Sequence, residues 1–354
     1  MAINSKENLF LWVIQDNLRY HGCMKVILII LVAFLALIFL ADSIFKVAYP
    51  YPSKIKYGVT FSPKSANDLK LDWQEIYPKI LDDLKVKNLR LPAYWDVLQA
   101  DESNDDYSGV DFMLAEAGRR QAKVILVLGA RQPRWPECHI PDWVKKLSVK
   151  DRQEKTLQFI TKVVERYQNN PAVWAWQVEN EPLLASFGEG CDPPDKDFLR
   201  AEVELVRKLN SKSIIVTDSG ELGFWITPME LSDIFGTTLY RKVYDKTFGY
   251  VTYPLPPYFY SLKSTIVRAI FAKNNQKTII TELQAEPWSP NNDFKNMPIA
   301  QQLSLFSVDE FRKNITYAQK TGFDTAYIWG VEWWYFMEKM GHPQYLDYAK
   351  KVFK

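Results

Sequence analysis

From residue 56 onward the chain alternates two periodicities. Short runs rich in β-branched and aliphatic residues fall at 56–61, 87–92, 123–128, 173–180, 213–218, 234–240, 277–282 and 324–330. Longer stretches at 72–86, 110–122, 151–168, 196–210, 259–273 and 307–322 carry apolar residues at spacings of three and four, as amphipathic helices do. Strand followed by helix, repeated about eight times, predicts a parallel sheet closed into a (β/α)8 TIM barrel over residues 56–354. The competing open doubly wound sheet would want a Gly-rich phosphate turn after its first strand, where this chain reads GVTFSPKS.

A different pattern precedes the barrel. Residues 26–41 read VILIILVAFLALIFLA, 16 apolar positions between Lys25 and Asp42, and Ile44, Phe45, Val47 and Ala48 continue the trend. That length lies between the about 20 residues of a spanning helix and the about 7–15 of a signal-peptide core. Signal cleavage wants small residues one and three positions back, yet Phe34 stands two before Ala36 and Phe39 two before Ala41. The expectation is an N-terminal extension over 1–24, an uncleaved membrane anchor over 25–48 and a Pro-containing stalk over 49–55. The catalytic part would then lie outside the cytoplasm, held to the membrane by this helix, or be secreted if the segment were removed.

Composition narrows the chemistry. The chain has 12 Trp, 19 Tyr and 20 Phe against three His and three Cys. His21, His139 and His342 cannot supply a multi-histidine metal site, and three Cys cannot build an all-thiolate zinc site, so no metal or organic cofactor is expected. A net charge of +2 gives no field that would argue for nucleic acid as a partner. Catalysis must lean on carboxylates, hydroxyls or Lys.

In a barrel of this type the active site is built at the C-terminal ends of the strands and in the loops after them. The fourth strand ends in WQVENEP, placing Asn180 and Glu181 there, and the seventh ends in IITELQAEPW, placing Glu282 there. Glycoside hydrolysis needs such a pair, one carboxyl to protonate the leaving oxygen and one to attack or to activate water. Glu282 directly terminates the apolar run TII, whereas Glu286 sits inside the following loop; Glu179 is expected to be solvated or to act behind the site. Glu332 reads either as a contact to a sugar hydroxyl or as a loop charge.

With NEP closing strand four and Glu closing strand seven, the chain resembles glycoside hydrolase clan A, nearest to the cellulase-like family 5, over about residues 55–354. The resemblance implies a retaining glycoside hydrolase acting on a β-linked oligo- or polysaccharide. Glu181 would be the general acid/base, Glu282 the nucleophile and Asn180 a donor to the sugar 2-hydroxyl. Arg90 in NLRLP and Tyr240 in TTLY resemble the residues that contact the nucleophile, and Trp329 in YIWG resembles the tryptophan under the sugar. Retention implies carboxyl groups about 5–5.5 Å apart. Two rivals keep the same barrel: a transglycosidase with the same carboxylates, and a non-catalytic carbohydrate-binding barrel.

The pattern departs from the family at two places. Thr238 stands where family 5 usually has His two before the strand-six tyrosine, and GARQPRW after strand three lacks the common His; Arg131 or Gln132 is expected to supply that polar contact. Eight tryptophans, at 95, 135, 143, 225, 288, 329, 333 and 334, fall at strand ends or in the loops after them, where rings suit pyranose faces or seal loops together. Cys138 and Cys191 lie in loops expected to be neighbours and could pair outside the cytoplasm, leaving Cys23 unpaired. Asn314-Ile315-Thr316 fits a glycosylation sequon within a predicted helix.

Overall fold

The computed structural model describes Pro52 and residues 54–354, apart from 273, 274, 291–293 and 295. The expected extension, the anchor over 25–48 and part of the stalk lie outside the described residues. Among those described, no helix is long and apolar enough to cross a membrane.

Among the described residues ten strands form: β1 (Lys56–Thr60), β2 (Asn88–Pro92), β3 (Lys123–Leu128), β4 (Val173–Val178), β5 (Ser213–Asp218), β6 (Ile234–Leu239), β7 (Lys242–Asp245), β8 (Gly249–Thr252), β9 (Lys277–Gln284) and β10 (Thr325–Trp329). Eight of them close a parallel barrel in the order β1-β10-β9-β6-β5-β4-β3-β2. The (β/α)8 expectation holds, and each barrel strand falls on one of the eight runs read from the sequence. Parallel strands are covered on both faces, which is why they appear as near-continuous apolar runs; in β3 every residue after Lys123 is buried.

Side chains at alternate positions point into the barrel. Ile125, Ala175, Ile215, Ile279 and Tyr327 form a small apolar cluster there. Two residues further along the same faces stand Gln177, Thr217 and Thr281, all buried, so the interior turns polar toward the C-terminal ends of the strands. The remaining core fills the shell between strands and helices. The helix Val149–Tyr167 illustrates how it forms: Ser148 caps its start by accepting from the Asp151 N–H, and Phe159, Ile160, Val163, Val164 and Tyr167 are buried at spacings of three and four.

Three features differ from the sequence expectation. β7 and β8 pair as an antiparallel hairpin in the loop after β6. Asp245 accepts from the N–H groups of Thr247 and Phe248 in its turn, and Gly249 takes a left-handed φ of 72°. A short helix, Ile226–Leu231, joins β5 to β6. After β10 the helix Val331–Lys339 is buried nearly all round, with Val331, Glu332, Trp333, Trp334, Tyr335 and Met337 inside, so it carries no amphipathic stripe to betray it. Asn314 does lie in a helix, Val308–Gln319, and its amide is buried and donates to the Gln284 carbonyl at 2.9 Å.

Candidate active site

A cleft of about 550 Å³ opens at the C-terminal ends of the barrel strands, and Glu181, Glu282, Tyr240 and Trp329 all line it. β4 ends at Val178, and the next three residues are held one by one. The Glu179 N–H donates to the Leu128 carbonyl, that of Asn180 to Arg131 and that of Glu181 to Thr217 Oγ1 at 2.9 Å. Glu179 and Glu181 adopt left-handed φ angles of 59° and 46°. Non-glycine residues rarely hold this conformation, at a cost on the order of 1 kcal/mol or more each, unless the surroundings fix them. The result turns Glu181 into the cleft.

Glu282 lies within β9, two residues before its end, opposite Thr238 and beside a register shift at Thr237/Thr238. Both of its carboxylate oxygens are engaged. Arg90 Nη1 donates to Oε1 at 2.9 Å and Tyr240 Oη donates to Oε2 at 2.9 Å. The fully buried Arg90 guanidinium also donates to Gln177 Oε1 at 2.7 Å and Asn180 Oδ1 at 2.6 Å, so one planar group on β2 fixes three side chains, from β4, from the residues just after it and from β9.

Glu181 sits in opposite surroundings. Its Oε1 accepts from Thr238 Oγ1 at 3.2 Å, and no ion pair reaches it among the described residues. Burial, followed by the nearby carboxyls of Glu282 and Glu137, pushes its pKa well above the ordinary carboxylate range. Thr238, the departure from the histidine pattern, thus stands directly on this carboxyl.

The second departure is filled by a residue the sequence reading did not single out. Arg131 and Gln132 do not line the cleft: Arg131 reaches the Phe187 carbonyl and Gln132 the carbonyls of Ala93 and Gly129. Glu137 lines it instead. The loop folds back on itself through Gln132 N–H to Glu137 C=O at 2.7 Å and His139 N–H to Ala130 C=O at 2.9 Å, returning Glu137 over the strand ends. Burial pushes its carboxyl up to about 8. The adjacent Cys138 is bonded to Cys191 in the loop after β4, so the expected neighbourhood of those loops holds and the pairing that the sequence left open is made.

The remaining carboxylates settle or correct several readings. Of the two readings of Glu179, the one behind the site holds: it is buried and accepts from the N–H groups of Ala130 at 2.7 Å and Arg131 at 2.6 Å. Glu332 is neither a sugar contact nor a loop charge, being fully buried and bonded to Arg134 and the Ser62 N–H. Glu286 lines the cleft but is paired with Arg134. That guanidinium lies 4.1 Å from the centroid of the Trp329 ring, so Arg134 covers one ring face and a sugar could stack only on the other.

Only three of the eight strand-end tryptophans, Trp135, Trp288 and Trp329, line the cleft. Trp95, Trp225, Trp333 and Trp334 are completely buried as packing, and Trp143 lies against the core. A position after a strand fixes the end of the barrel but not the direction of the ring. Phe187 joins the aromatic wall, with ring centroids 5.6 Å from Trp135 and 5.6 Å from Trp288, and Trp288 meets Tyr240 at 5.2 Å.

Comparison with known proteins agrees with this geometry. The sequence pattern of the cellulase family, glycosyl hydrolase family 5, matches residues 67–320. No curated protein sequence matches the chain. Among solved structures, a GH5_18 protein from Streptomyces cattleya in complex with GlcNAc superposes with a TM-score of 0.55 at 12% identity, over 78% of this chain and 70% of that one. Endo-glycoceramidase II from Rhodococcus sp., a lactosyl-enzyme intermediate, gives 0.50 at 13% identity over 78% and 75%. A β-galactosidase from the psychrophilic Marinomonas ef1 gives 0.51 at 14% identity over 77% of this chain, which spans only about half, 54%, of that protein's length. These identities speak to the fold. The family match covers most of the chain and spans the barrel from β2 to β9: the chain belongs to the cellulase family, glycosyl hydrolase family 5, and is a glycosyl hydrolase.

Proposed function

We propose that this barrel cleaves β-linked oligo- or polysaccharides with retention of anomeric configuration, using Glu282 as nucleophile and Glu181 as general acid/base. The observation that carries this reading is the contrast between the two carboxyls. Glu282 is gripped as an acceptor by Arg90 and Tyr240, while Glu181 has no ion pair among the described residues and is pushed toward its protonated form by burial. Hydrolysis by double displacement needs that contrast.

In the first step Glu282 would attack the anomeric carbon as Glu181 gives its proton to the leaving oxygen. In the second, Glu181 would take a proton from water as the water displaces Glu282, regenerating both groups. The lactosyl-enzyme intermediate of the Rhodococcus glycoceramidase is a species of the same kind on the same fold. Asn180 would donate to the 2-hydroxyl with the N–H that remains free, Arg90 would orient Glu282 and Asn180 together, and Trp329 would wall the sugar with its uncovered face. The aromatic file of Trp135, Phe187 and Trp288 suits the apolar faces of further sugar units.

The apolar segment over 25–48 supports a membrane-anchored protein with its barrel, from about residue 56, outside the cytoplasm. The Cys138–Cys191 bond fits an oxidising compartment.

A 2-fluoro aryl β-glycoside tests the assignment. It should leave one covalent sugar on Glu282, found by peptide mass, and Glu181→Gln and Glu282→Gln should each lower turnover by orders of magnitude while the protein stays folded. Label on another residue, or near-normal turnover in either variant, would overturn the roles.

A further inference from the structure

The proposed chemistry uses two carboxyls, and the cleft holds a third whose place is fixed from several directions. Glu137 is 4% exposed, and its Oε2 accepts from Asn180 Nδ2 at 2.9 Å. Its left-handed φ of 72° is secured by its own N–H donating to the Arg134 carbonyl at 2.8 Å, by the Gln132 N–H on its carbonyl and by the disulfide at the next residue. Its Oε1 has no hydrogen-bond partner among the described residues and is not sealed from the cleft that Glu137 lines. Among the described residues no cation pairs with the carboxyl; the guanidiniums of Arg131 and Arg90 and the carboxyl of Glu282 act on it only through space. A buried acceptor built this rigidly and left open on one side is short of a donor.

The amide beside it is fully directional. Asn180 lies just behind the cleft lining; its Oδ1 is taken by Arg90 Nη2 and one Nδ2 hydrogen by Glu137, so the only capacity it has left is to donate. Next to it, Glu137 Oε1 accepts when the carboxyl is ionised. A hydroxyl placed between them would accept from Asn180 and donate to Glu137, satisfying both. A free amine would donate to Glu137. An acetamido group would bring a bulky acyl arm to the same spot, and a bare CH2 would leave the buried oxygen unpaired, at a cost of about 1–3 kcal/mol.

Resting on the retaining-hydrolase reading, which places the sugar 2-substituent at Asn180, we propose that Glu137 is the specificity-determining residue for that substituent. It selects β-hexosides carrying a hydrogen-bond donor on carbon 2, a free hydroxyl or a free amine, over 2-deoxy and 2-acetamido sugars. The charge in the cleft agrees: Glu137, Glu181, Glu221, Asp245, Glu282 and Glu286 line it against Arg134 and Lys246, and Arg134 is already committed to Glu286 and Glu332. An ammonium there would also favour the ionised form of Glu137 over the protonated form that burial imposes.

The test uses aryl β-hexosides that differ only at carbon 2, and the amine is the informative one. An ammonium can only donate, so it cannot be held by the donating Asn180 and reports on Glu137 alone. The wild-type protein should turn over the 2-amino substrate within about tenfold of the 2-hydroxy one, and both at least about 100-fold better in kcat/KM than the 2-deoxy and 2-acetamido forms. Glu137→Ala, and the isosteric Glu137→Gln should the first fold poorly, should lower the 2-amino to 2-deoxy ratio at least tenfold. A ratio unchanged in a folded variant, or loss of activity equal on all substrates, would assign Glu137 to holding Asn180 and overturn its contact with the sugar. Absence of turnover on every glycoside by the wild-type protein would instead overturn the hydrolase reading beneath it.

Discussion

Arg90 and Tyr240 each hold one oxygen of the Glu282 carboxylate, so in the proposed reaction each fixes the line of attack of the nucleophile. The two are not equivalent. Arg90 also carries Gln177 and Asn180, so its removal would uncouple three side chains and leave buried acceptors without donors. Tyr240 makes one bond to the site through its hydroxyl, which makes Tyr240→Phe the cleaner probe. A hydrogen bond to a charged group contributes about 1.5–3 kcal/mol, equivalent to about 10–100-fold in rate if it is lost in the transition state. We expect Tyr240→Phe to lower kcat for an activated aryl β-glycoside by that factor with little change in melting temperature, since the ring keeps its packing against Trp288. Unchanged kcat would show that this hydroxyl does not orient the attacking group.

The loop after β3 rests on a buried carboxyl pair. Glu179 accepts from the Ala130 and Arg131 N–H groups and shares a hydrogen bond with Glu202, which sits inside the helix Lys196–Leu209 with one oxygen unpartnered. Gly129 passes so close that a Cβ there would lie 2.0 Å from Glu179 Oε1. Burial, then the Glu179 carboxyl, pushes Glu202 well above the ordinary range. A carboxyl raised in the folded state contributes its full stability below its unfolded value of about 4.3, and that contribution is lost as pH rises through the raised folded value. Glu202→Gln keeps a donor toward Glu179 at every pH. Its melting temperature should therefore fall less than that of the wild-type protein between neutral and alkaline pH; parallel curves would show that the pair does not titrate with unfolding. Elements of this kind set the limit of what can be read from sequence. The barrel strands are legible because burial on both faces makes them apolar runs, and Glu181 and Glu282 are legible because they end or nearly end such runs. Glu137 is nine residues past β3 and reaches the cleft only through loop hydrogen bonds that no periodicity encodes. The same reason hides the β7–β8 hairpin, whose Val243 and Tyr244 line the cleft. Rings at strand ends were split between cleft and packing by rotamer and loop path, which leave no trace in spacing.

At the scale of the whole barrel, one covalent link gathers these parts. The Cys138–Cys191 bond ties the loop after β3, with Arg134, Trp135 and Glu137, to the loop after β4, with Phe187 and Gly188, and all five of those residues line the cleft. The barrel itself is closed by hydrogen-bonded strands, and this link adds a covalent tie across the cleft wall above β3 and β4, beside the loop hydrogen bonds. Closing a loop of 53 residues restricts the unfolded chain, and the usual yield is about 2–4 kcal/mol. Two separate effects should follow when Cys138 and Cys191 are both replaced by Ser. The melting temperature should fall by roughly 5–10 °C. Well below either midpoint, where both proteins are folded, kcat/KM should still fall several-fold, because the acceptor at Glu137 and the ring of Phe187 lose their common tether. Reduction of the wild-type protein should reproduce the kinetic loss, and reoxidation should reverse it. Equal kcat/KM in the oxidised and reduced forms would confine the disulfide to stability and show that the loop hydrogen bonds alone hold the cleft wall in place.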